Sequence, residues 1–182
     1  MILLPVLNEA KGLEAVLKRI PHQSLGEIGW EPDVVIIDGK STDNSQQIGL
    51  DAGCTVLVQP SRGKGEAVRL GFDYAIRQQY DALVMFDADQ TYDPQDMIRM
   101  LKRLNQGRVV VGNRLSTLLA VDAMSPTNWI GNHLLTMSAV LLHGTEIHDV
   151  CSGYWLFHRD ALLQMNLNSM DFEIEAEMYA QC

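Results

Sequence analysis

The chain has 182 residues and a formal net charge of -9; 47% of the residues are hydrophobic and 20% are charged. These proportions are typical of a globular protein and exclude the low-hydrophobicity class of disordered chains. The length suits one domain with a single sizeable core, and no repeat or change of composition indicates a second. The acidic balance excludes nucleic acid as the expected partner, because binding a phosphate backbone requires a basic stripe.

The cysteines and the apolar segments indicate a cytoplasmic protein without a membrane span. Cys54, Cys151 and Cys182 are widely spaced and fit neither a disulfide framework nor a zinc motif, so a reducing compartment is expected. The N-terminus MILLPVLNEA lacks the basic leader of a signal peptide. The longest apolar segment, Leu134 to Leu142, is far shorter than the roughly 20 residues of a membrane helix. Membrane contact is therefore expected to be peripheral or to lie outside this chain.

Short apolar segments rich in Val, Ile and Leu predict strands, and amphipathic segments between them predict helices. Because the apolar residues are consecutive rather than alternating, both faces of the strands are expected to be buried, as in a parallel sheet. Helices are predicted over Ala10 to Ile20, over Glu66 to Arg77, and from Asp93-Pro94 to just before Gly107. The alternation predicts an α/β fold, with a mostly parallel, doubly wound central sheet and helices on both faces. The strands are predicted at Ile2 to Leu4, Val34 to Ile37, Thr55 to Val58, Leu83 to Phe86 and Val109 to Val111.

The last third of the chain has weaker patterns. Residues 115–128 show no clear periodicity and predict a loop, Trp129 to Leu142 predicts a helix, and Tyr154 to His158 predicts a further strand. The final acidic helical segment ends in MYAQC without an evident cap. We therefore expect one domain over residues 1–182 that is truncated at its C-terminus.

Polar residues follow the first, second, fourth and fifth predicted strands. In open α/β sheets, ligands bind beyond the carboxyl ends of the strands. These polar residues should therefore line one edge of the sheet. They are Asn8 and Glu9; Asp38, Gly39, Ser41 and Asp43; Asp87, Asp89 and Gln90; and Gly112, Asn113 and Arg114.

The segment LVMFDADQTYDP contains the most informative pair of carboxylates. Asp87 and Asp89 stand where a strand becomes a loop, so both can turn toward one cation. Hard oxygen ligands predict Mg or Mn, and Mg binds through one or two carboxylates together with substrate phosphates. The alternative is a solvated loop in which Asp87 or Asp93 caps a helix, and a lone Asp-x-Asp motif favours that alternative.

Two further segments have polar residues at useful places. Asp38 ends a buried strand, where its carboxylate could accept a hydrogen bond from a base or ribose, whereas Ser41 or Asp43 could merely cap the next helix. In PSRGKGEAVR, two glycines flank Lys64 before a helix. This arrangement predicts either a phosphate cradle or a flexible loop, and it lacks the Walker A spacing.

Near the C-terminus, HDVCSGYWLF places Asp149 before an aromatic strand, and DFEIEAEM places Glu173 and Glu175 on the next segment. A single acid is weak support for a catalytic base. The three aromatic residues of the strand are expected in the core.

These motifs occur in a specific order: PVLNE, DGKSTDNS, RGKGEAVR, DADQTYDP, GNR, NWIGN, HDVCSGYW and FEIE. In this order the sequence resembles the family 2 glycosyltransferases of the GT-A fold over nearly the whole chain. Within them it looks like the dolichyl-phosphate mannose and glucose synthases and their prokaryotic polyprenyl-phosphate relatives. The resemblance implies a single catalytic domain with a GT-A, Rossmann-like sandwich. It also implies direct displacement of a nucleoside diphosphate with inversion at the sugar.

The resemblance implies roles for individual residues. Lys64 would lie near the diphosphate. Gln90 would be a third metal ligand, although it stands one place earlier than in the common DADLQ form. The base and ribose would contact Pro5, Leu7, Glu9 and Asp38, and the metal, Mg or Mn, would bind Asp87 and Asp89.

For the acceptor side, Arg114 matches the arginine of the family's G-S-R motif and would bind the acceptor phosphate and the leaving diphosphate. Trp129 stands where relatives often have an arginine. An ionised lipid phosphate needs no strong base, which would leave Asp149 structural or sugar-binding, whereas a sugar hydroxyl would make Asp149 the candidate base. Asp89, Arg114 and Asp149 are therefore the candidate catalytic residues.

The expected partners are a GDP- or UDP-hexose and a polyprenyl or dolichyl phosphate at the cytoplasmic membrane face, and the sequence leaves a homo-oligomer open. One alternative is transfer to a sugar hydroxyl in polysaccharide synthesis. A second is a sugar-phosphate nucleotidyltransferase, but PVLNEAKGL lacks the glycine-rich loop of that class. A third is a non-catalytic carbohydrate-binding protein, which the presence of Asp87, Asp89 and Arg114 disfavours.

Overall fold

The computed structural model describes residues 1–104, 108–112 and 152–182. The predicted loop at 115–128 and the predicted helix from Trp129 lie outside these ranges. The strands are β1 (Ile2–Val6), β2 (Val34–Asp38), β3 (Thr55–Val58), β4 (Ala82–Met85), β5 (Val109–Val111) and β6 (Trp155–His158). The helices are α1 (Ala10–Arg19), α2 (His22–Glu27), α3 (Ser45–Asp51), α4 (Lys64–Arg77), α5 (Met97–Leu104, after a 3₁₀ turn at Pro94–Asp96), α6 (Arg159–Leu162) and α7 (Ile174–Gln181).

The six strands form one sheet in the order β3-β2-β1-β4-β6-β5. The strands β1 to β4 pair in parallel, whereas β6 is antiparallel to both β4 and β5. The predicted α/β fold with a mostly parallel sheet is therefore confirmed. Because β6 runs opposite to the other five described strands, its amino end, which follows Ser152 and Gly153, lies at the same edge as their carboxyl ends.

Alternate side chains of the sheet pack under helices on opposite faces. On one face, Leu4 and Phe86 belong to a cluster with Leu13 of α1 and Met97 of α5. The other face buries the intervening strand residues against Phe72 of α4 and its neighbours in α6 and α7. Successive strand residues point to opposite faces, so consecutive apolar residues produce two cores, and the predicted burial of β1, β2 and β4 on both faces is confirmed.

The prediction of burial on both faces is wrong for β3 and β5. Both residues at the ends of β3 are exposed, including Val58 with 50% of its surface accessible, and all three residues of β5 are only partly buried. The reason is their place in the sheet, because an edge strand has one neighbouring strand and less helix cover. Among the described residues, no helix has the length and apolar character needed to cross a membrane.

We expect Gly71→Ala to lower the free energy of unfolding by about 1–3 kcal/mol, because α4 packs so closely on β1 that an added Cβ would lie 2.5 Å from Leu3 Cδ2. Urea denaturation measures the change. Gly26→Ala in α2 is the matched control, since its Cβ would meet no described atom within 4 Å beyond its own helical turn and should be neutral or stabilising by about 0.5–1 kcal/mol. Equal stabilities of the two variants would contradict the close packing.

Candidate active site

The loops after β1 and β2 are joined by hydrogen bonds. The Asn8 N–H donates to Ser41 Oγ (2.9 Å), and the Thr42 N–H donates back to Asn8 Oδ1 (2.7 Å). The Ala10 N–H at the start of α1 donates to Asp43 Oδ2 (3.0 Å). The hydroxyl of Ser41 thus joins the two loops, while Asp43 Oδ1 accepts from the Ser45 N–H in the first turn of α3. These bonds hold the carboxyl ends of β1 and β2 in one arrangement.

Asp38 is a fully buried carboxylate at the end of β2. Its Oδ2 accepts from the Ser41 N–H (3.0 Å) and from Gln46 Nε2 (2.7 Å). Its Oδ1 is buried without a hydrogen-bond partner in the part of the chain that the structure describes. A buried carboxylate oxygen left unpaired is costly, so this atom is suited to accept a hydrogen bond from a ligand.

Pro5 and Leu7 lie beside Asp38. Pro5 is opposite Ile37 in the β1–β2 ladder, and the next pair is Val6 with Asp38. Leu7 follows the strand with an exposed side chain that lies against Gly39, where an added Cβ would be 3.3 Å from Leu7 Cδ1. Leu7 therefore lies beside the end of β2, whereas Pro5 is one ladder position from Asp38 and its side chain points to the other face of the sheet.

Asp87 follows β4 and meets the amino end of β6. A Cβ atom on Gly153 would lie 2.5 Å from Asp87 Oδ2, so only glycine permits this approach. The Gly153 N–H donates to the Tyr92 hydroxyl (2.5 Å), which ties the start of β6 to the loop after Asp87. Reversal of β6 thus forms one wall around the first carboxylate of the Asp-x-Asp pair.

Asp89 and Gln90 occupy the exposed part of the same loop. Asp89 Oδ1 accepts from the Thr91 N–H (2.9 Å), and Gln90 has a left-handed backbone with a φ of 69°. Beneath the loop, α1 packs so closely that a Cβ on Gly12 would overlap the Ala88 carbonyl oxygen. The loop that presents Asp89 is therefore fixed from below and open above.

Glu9 adds negative charge beside this loop. Burial and the nearby carboxylates of Asp89, Asp43 and Asp87 raise the pKa of Glu9 above its usual value. Glu9 was assigned to the nucleotide by resemblance, and the structure places its carboxylate within the electrostatic reach of the Asp-x-Asp pair. Like charges at this spacing favour the binding of a cation.

Lys64 lies between two carboxylates from distant parts of the chain. Its Nζ is 2.7 Å from Asp87 Oδ1 and 2.7 Å from Glu175 Oε1 of α7. Burial, the largest influence, opposes the charged form of Lys64, but Asp87 and Glu175 together raise its pKa above the usual value. Burial raises the pKa of Glu175, and the Lys64 ammonium opposes that rise. The two ion pairs connect the start of α4 with the loop that carries Asp87 and with α7.

The glycines around Lys64 differ from both sequence-based interpretations. Lys64 is the first residue of α4, two residues earlier than the predicted start of the helix, and Gly63 has a φ of 120°. A Cβ on Gly63 would overlap the Met170 carbonyl oxygen, and one on Gly65 would overlap that of Ser169. The glycines permit close backbone packing of residues 169–171, so this segment is neither an open cradle nor an unpacked loop.

The donors at the edge fit a hard divalent cation. Asp87 and Asp89 supply carboxylate oxygens, and Gln90 supplies an amide oxygen on the same loop, which is the chemistry of Mg²⁺ and Mn²⁺ sites. Within residues 1–104, 108–112 and 152–182, no three His, Cys, Asp or Glu side chains are grouped closely enough to hold a metal ion. A cation here would therefore complete its coordination with phosphate oxygens, water or further ligands.

Two of the three candidate catalytic residues, Arg114 and Asp149, lie outside the described residues. Sequence reasoning missed the part that Glu175 and Gly153 play in the site. The FEIE and CSGYW motifs marked both segments, but nothing in their local pattern indicated which residue they would contact. Only the sheet order and the packing of α7 reveal those contacts.

Comparison with known proteins agrees with this fold. The glycosyl transferase family 2 model matches residues 1–165. Glycosyltransferase AglJ of Haloferax volcanii is 35% identical over 182 residues, which cover all of this chain and 57% of that protein. Polyprenol monophosphomannose synthase of Mycolicibacterium smegmatis is 27% identical, over 94% of this chain and 66% of that protein.

The structure of glucosyl-3-phosphoglycerate synthase from Mycobacterium tuberculosis, solved with Mn²⁺ and UDP-glucose, superposes with a TM-score of 0.73 at 20% identity. The match covers 98% of this chain and 62% of that one, and it confirms the expected GT-A fold. The chain thus spans between half and two thirds of the length of these relatives. The family resemblance in the motif order and the expectation of a glycosyltransferase enzyme are both confirmed. The chain belongs to glycosyl transferase family 2.

Proposed function

We propose that this chain is the catalytic part of an inverting glycosyltransferase that moves a hexose from a nucleoside-diphosphate sugar to a polyprenyl or dolichyl phosphate. One observation supports this most strongly. A buried carboxylate with an unpartnered oxygen, Asp38, lies at the same sheet edge as the Asp87 and Asp89 pair. The first provides an acceptor for the nucleoside, and the second provides ligands for a metal at the diphosphate.

The nucleoside end of the donor binds at the carboxyl ends of β1 and β2. Asp38 Oδ1 accepts a hydrogen bond from a base N–H or a ribose hydroxyl, and the exposed Leu7 provides apolar surface for the nucleoside near the end of β2, with Pro5 two residues before it in β1. Because Asp38 Oδ2 is already held by Ser41 and Gln46, the carboxylate is oriented before the ligand arrives. Such preorganisation lowers the cost of binding.

The diphosphate end binds at the carboxyl end of β4. Asp87, Asp89 and Gln90 would hold Mg²⁺ or Mn²⁺, and the ion would supply positive charge against the leaving diphosphate, an effect of several kcal/mol. Lys64 contributes a second positive charge beside Asp87. Glu9 adds a negative charge beside the proposed metal site. Binding of the diphosphate together with a cation is therefore favoured over binding of the diphosphate alone.

The acceptor in this proposal is a lipid phosphate. The similarity to a polyprenol monophosphomannose synthase supports it. An ionised phosphate oxygen attacks the anomeric carbon, the bond from that carbon to the diphosphate oxygen breaks, and the configuration inverts. Arg114 holds the acceptor phosphate, and Asp149 binds the sugar, since no strong base is needed. A polyprenyl chain requires that this reaction occur at a membrane surface, and the proposed surface is the cytoplasmic face.

We expect Asp89→Ala to abolish the metal-dependent part of nucleoside-diphosphate binding, because it removes half of the carboxylate pair. Isothermal titration of UDP and GDP with and without Mn²⁺ measures it. Asp73→Ala, on the exposed side of α4, removes the same charge away from the site and should bind like the unaltered protein. Nucleotide binding that changes neither with Mn²⁺ nor with Asp89→Ala would contradict the proposed metal site.

Replacing Asp38 with Asn should weaken nucleotide binding by about tenfold or more while leaving the binding of Mn²⁺ with inorganic pyrophosphate unchanged. The amide oxygen takes the place of Oδ2, which has two donors, and the NH₂ group then replaces the acceptor Oδ1. Parallel titrations with nucleotide and pyrophosphate separate the two effects. An equal loss for both ligands would place Asp38 outside the nucleoside subsite.

Arg114→Ala should reduce transfer to a polyprenyl phosphate by about 100-fold while changing nucleotide affinity far less, because the arginine acts on the acceptor phosphate. Transfer of radiolabelled hexose and nucleotide titration are measured on the same preparation. Arg108→Ala is the matched control. It removes the same charge directly before β5, at the end of the strand away from the candidate site, whereas Arg114 comes after β5 in the sequence. Equal losses of transfer and nucleotide affinity would show that Arg114 belongs to the donor subsite.

A further inference from the structure

The ammonium of Lys64 is shared between two carboxylates that differ in exposure and in role. Its side chain is 12% exposed, that of Asp87 is 29% exposed, and that of Glu175 is 9% exposed. Asp87 faces the open edge of the sheet, where the proposed metal binds. Glu175 lies in the first turn of α7, between Ile174 and Met178, which are both in the core.

A divalent cation at Asp87 would compete with Lys64 for the same carboxylate. Lys64 Nζ is 2.7 Å from Asp87 Oδ1, which is one of only two oxygens that this side chain can offer a metal. Two cations at one carboxylate repel each other strongly where the surroundings are partly buried. The contact between Lys64 and Asp87 therefore opposes metal binding until the lysine gives up that contact.

The backbone around Lys64 restricts where the lysine can go. Gly63 and Gly65 are packed against the backbone of Met170 and Ser169, and the Glu66 N–H donates to the Met170 carbonyl (3.3 Å). The Phe172 ring lies 5.9 Å from Lys64 Nζ. Because the start of α4 is held in this way, the ammonium can change partners by rotation of its side chain without leaving the site.

We propose that Glu175 is a positioning residue that retains Lys64 when a metal ion takes Asp87, so that the freed lysine donor turns to the diphosphate. This inference rests on the proposed function and extends it. Glu175 keeps a positive charge at the leaving group, and it lowers the cost of releasing Asp87 to the metal. Lys64 has three donors, so a bond to Glu175 and a bond to a phosphate oxygen can coexist.

A purely structural triad is the alternative, in which the two ion pairs only attach α7 to α4. Breaking one side of a buried ion pair destabilises a protein in either case, so loss of stability does not discriminate. The metal dependence of nucleotide binding does discriminate between the positioning role and the purely structural role. If Lys64 and a metal compete for Asp87, changes at Lys64 and Glu175 must shift the metal requirement in opposite directions.

The test titrates UDP or GDP, whichever binds more tightly, at increasing Mn²⁺ concentrations, and reports the half-saturating Mn²⁺ concentration and the limiting nucleotide Kd. Lys64→Gln should lower the half-saturating concentration by about tenfold, because the competing cation is gone, and should weaken the limiting affinity. Glu175→Gln should raise the half-saturating concentration by about tenfold, because Lys64 then depends on Asp87 alone. Glu14→Gln on α1, another charge removal, should change neither quantity.

The double variant Lys64→Gln with Glu175→Gln completes the cycle and keeps the test valid if Glu175→Gln alone does not fold. Its half-saturating Mn²⁺ concentration should equal that of Lys64→Gln, since Glu175 acts through the lysine. An unchanged metal requirement in Lys64→Gln and in the double variant, with only a lower melting temperature, would overturn this inference and leave the proposed function standing. Failure of the unaltered protein to bind either nucleotide at any Mn²⁺ concentration would overturn both.

Discussion

The concentration of negative charge at one edge of the sheet is the constraint on which the rest of this site depends. The carboxylates of Asp43, Asp87 and Asp89 lie near that of Glu9 because the strands that precede these loops run in parallel. The positive charge of Lys64 opposes their mutual repulsion, and Asp87 and Glu175 stabilise that charged form. An anionic diphosphate is repelled by this edge unless cations accompany it. The architecture therefore supports the proposed metal dependence, in addition to the Asp-x-Asp motif.

The direction of β6 decides how the carboxylates are enclosed. Had β6 joined the sheet in parallel, its carboxyl end would lie at this edge, and Gly153 would lie at the opposite one. The antiparallel pairing with β4 instead brings Gly153 against Asp87. The Gly153 N–H then donates a hydrogen bond to the Tyr92 hydroxyl. After β6, the chain returns through α6 and residues 169–171 to cover the start of α4. Each of these contacts needs a glycine at the point of closest approach.

Several parts of the site were predictable from the sequence because local patterns encode them. Consecutive apolar residues predicted strands buried on two faces, and polar residues after them predicted one ligand-binding edge. Asp38 was predictable as an unusual carboxylate because it directly follows four apolar residues, and its unpartnered oxygen gives that expectation a physical form. The interpretation of Lys64 was less accurate. Its flanking glycines looked like a phosphate cradle or a flexible loop, yet both are packed against another backbone segment.

The sequence by itself determined the fold class, the family and the edge of the sheet at which the candidate carboxylates lie, because hydrophobic periodicity and motif order are local properties. Only the tertiary structure decided the reversed direction of β6, the exposure of β3 and β5 as edge strands, and the pairing of Lys64 with Glu175. These features depend on which strands are neighbours and on how α7 packs against α4. No local pattern specifies such contacts, since the two partners are far apart in the chain and each has an ordinary sequence context.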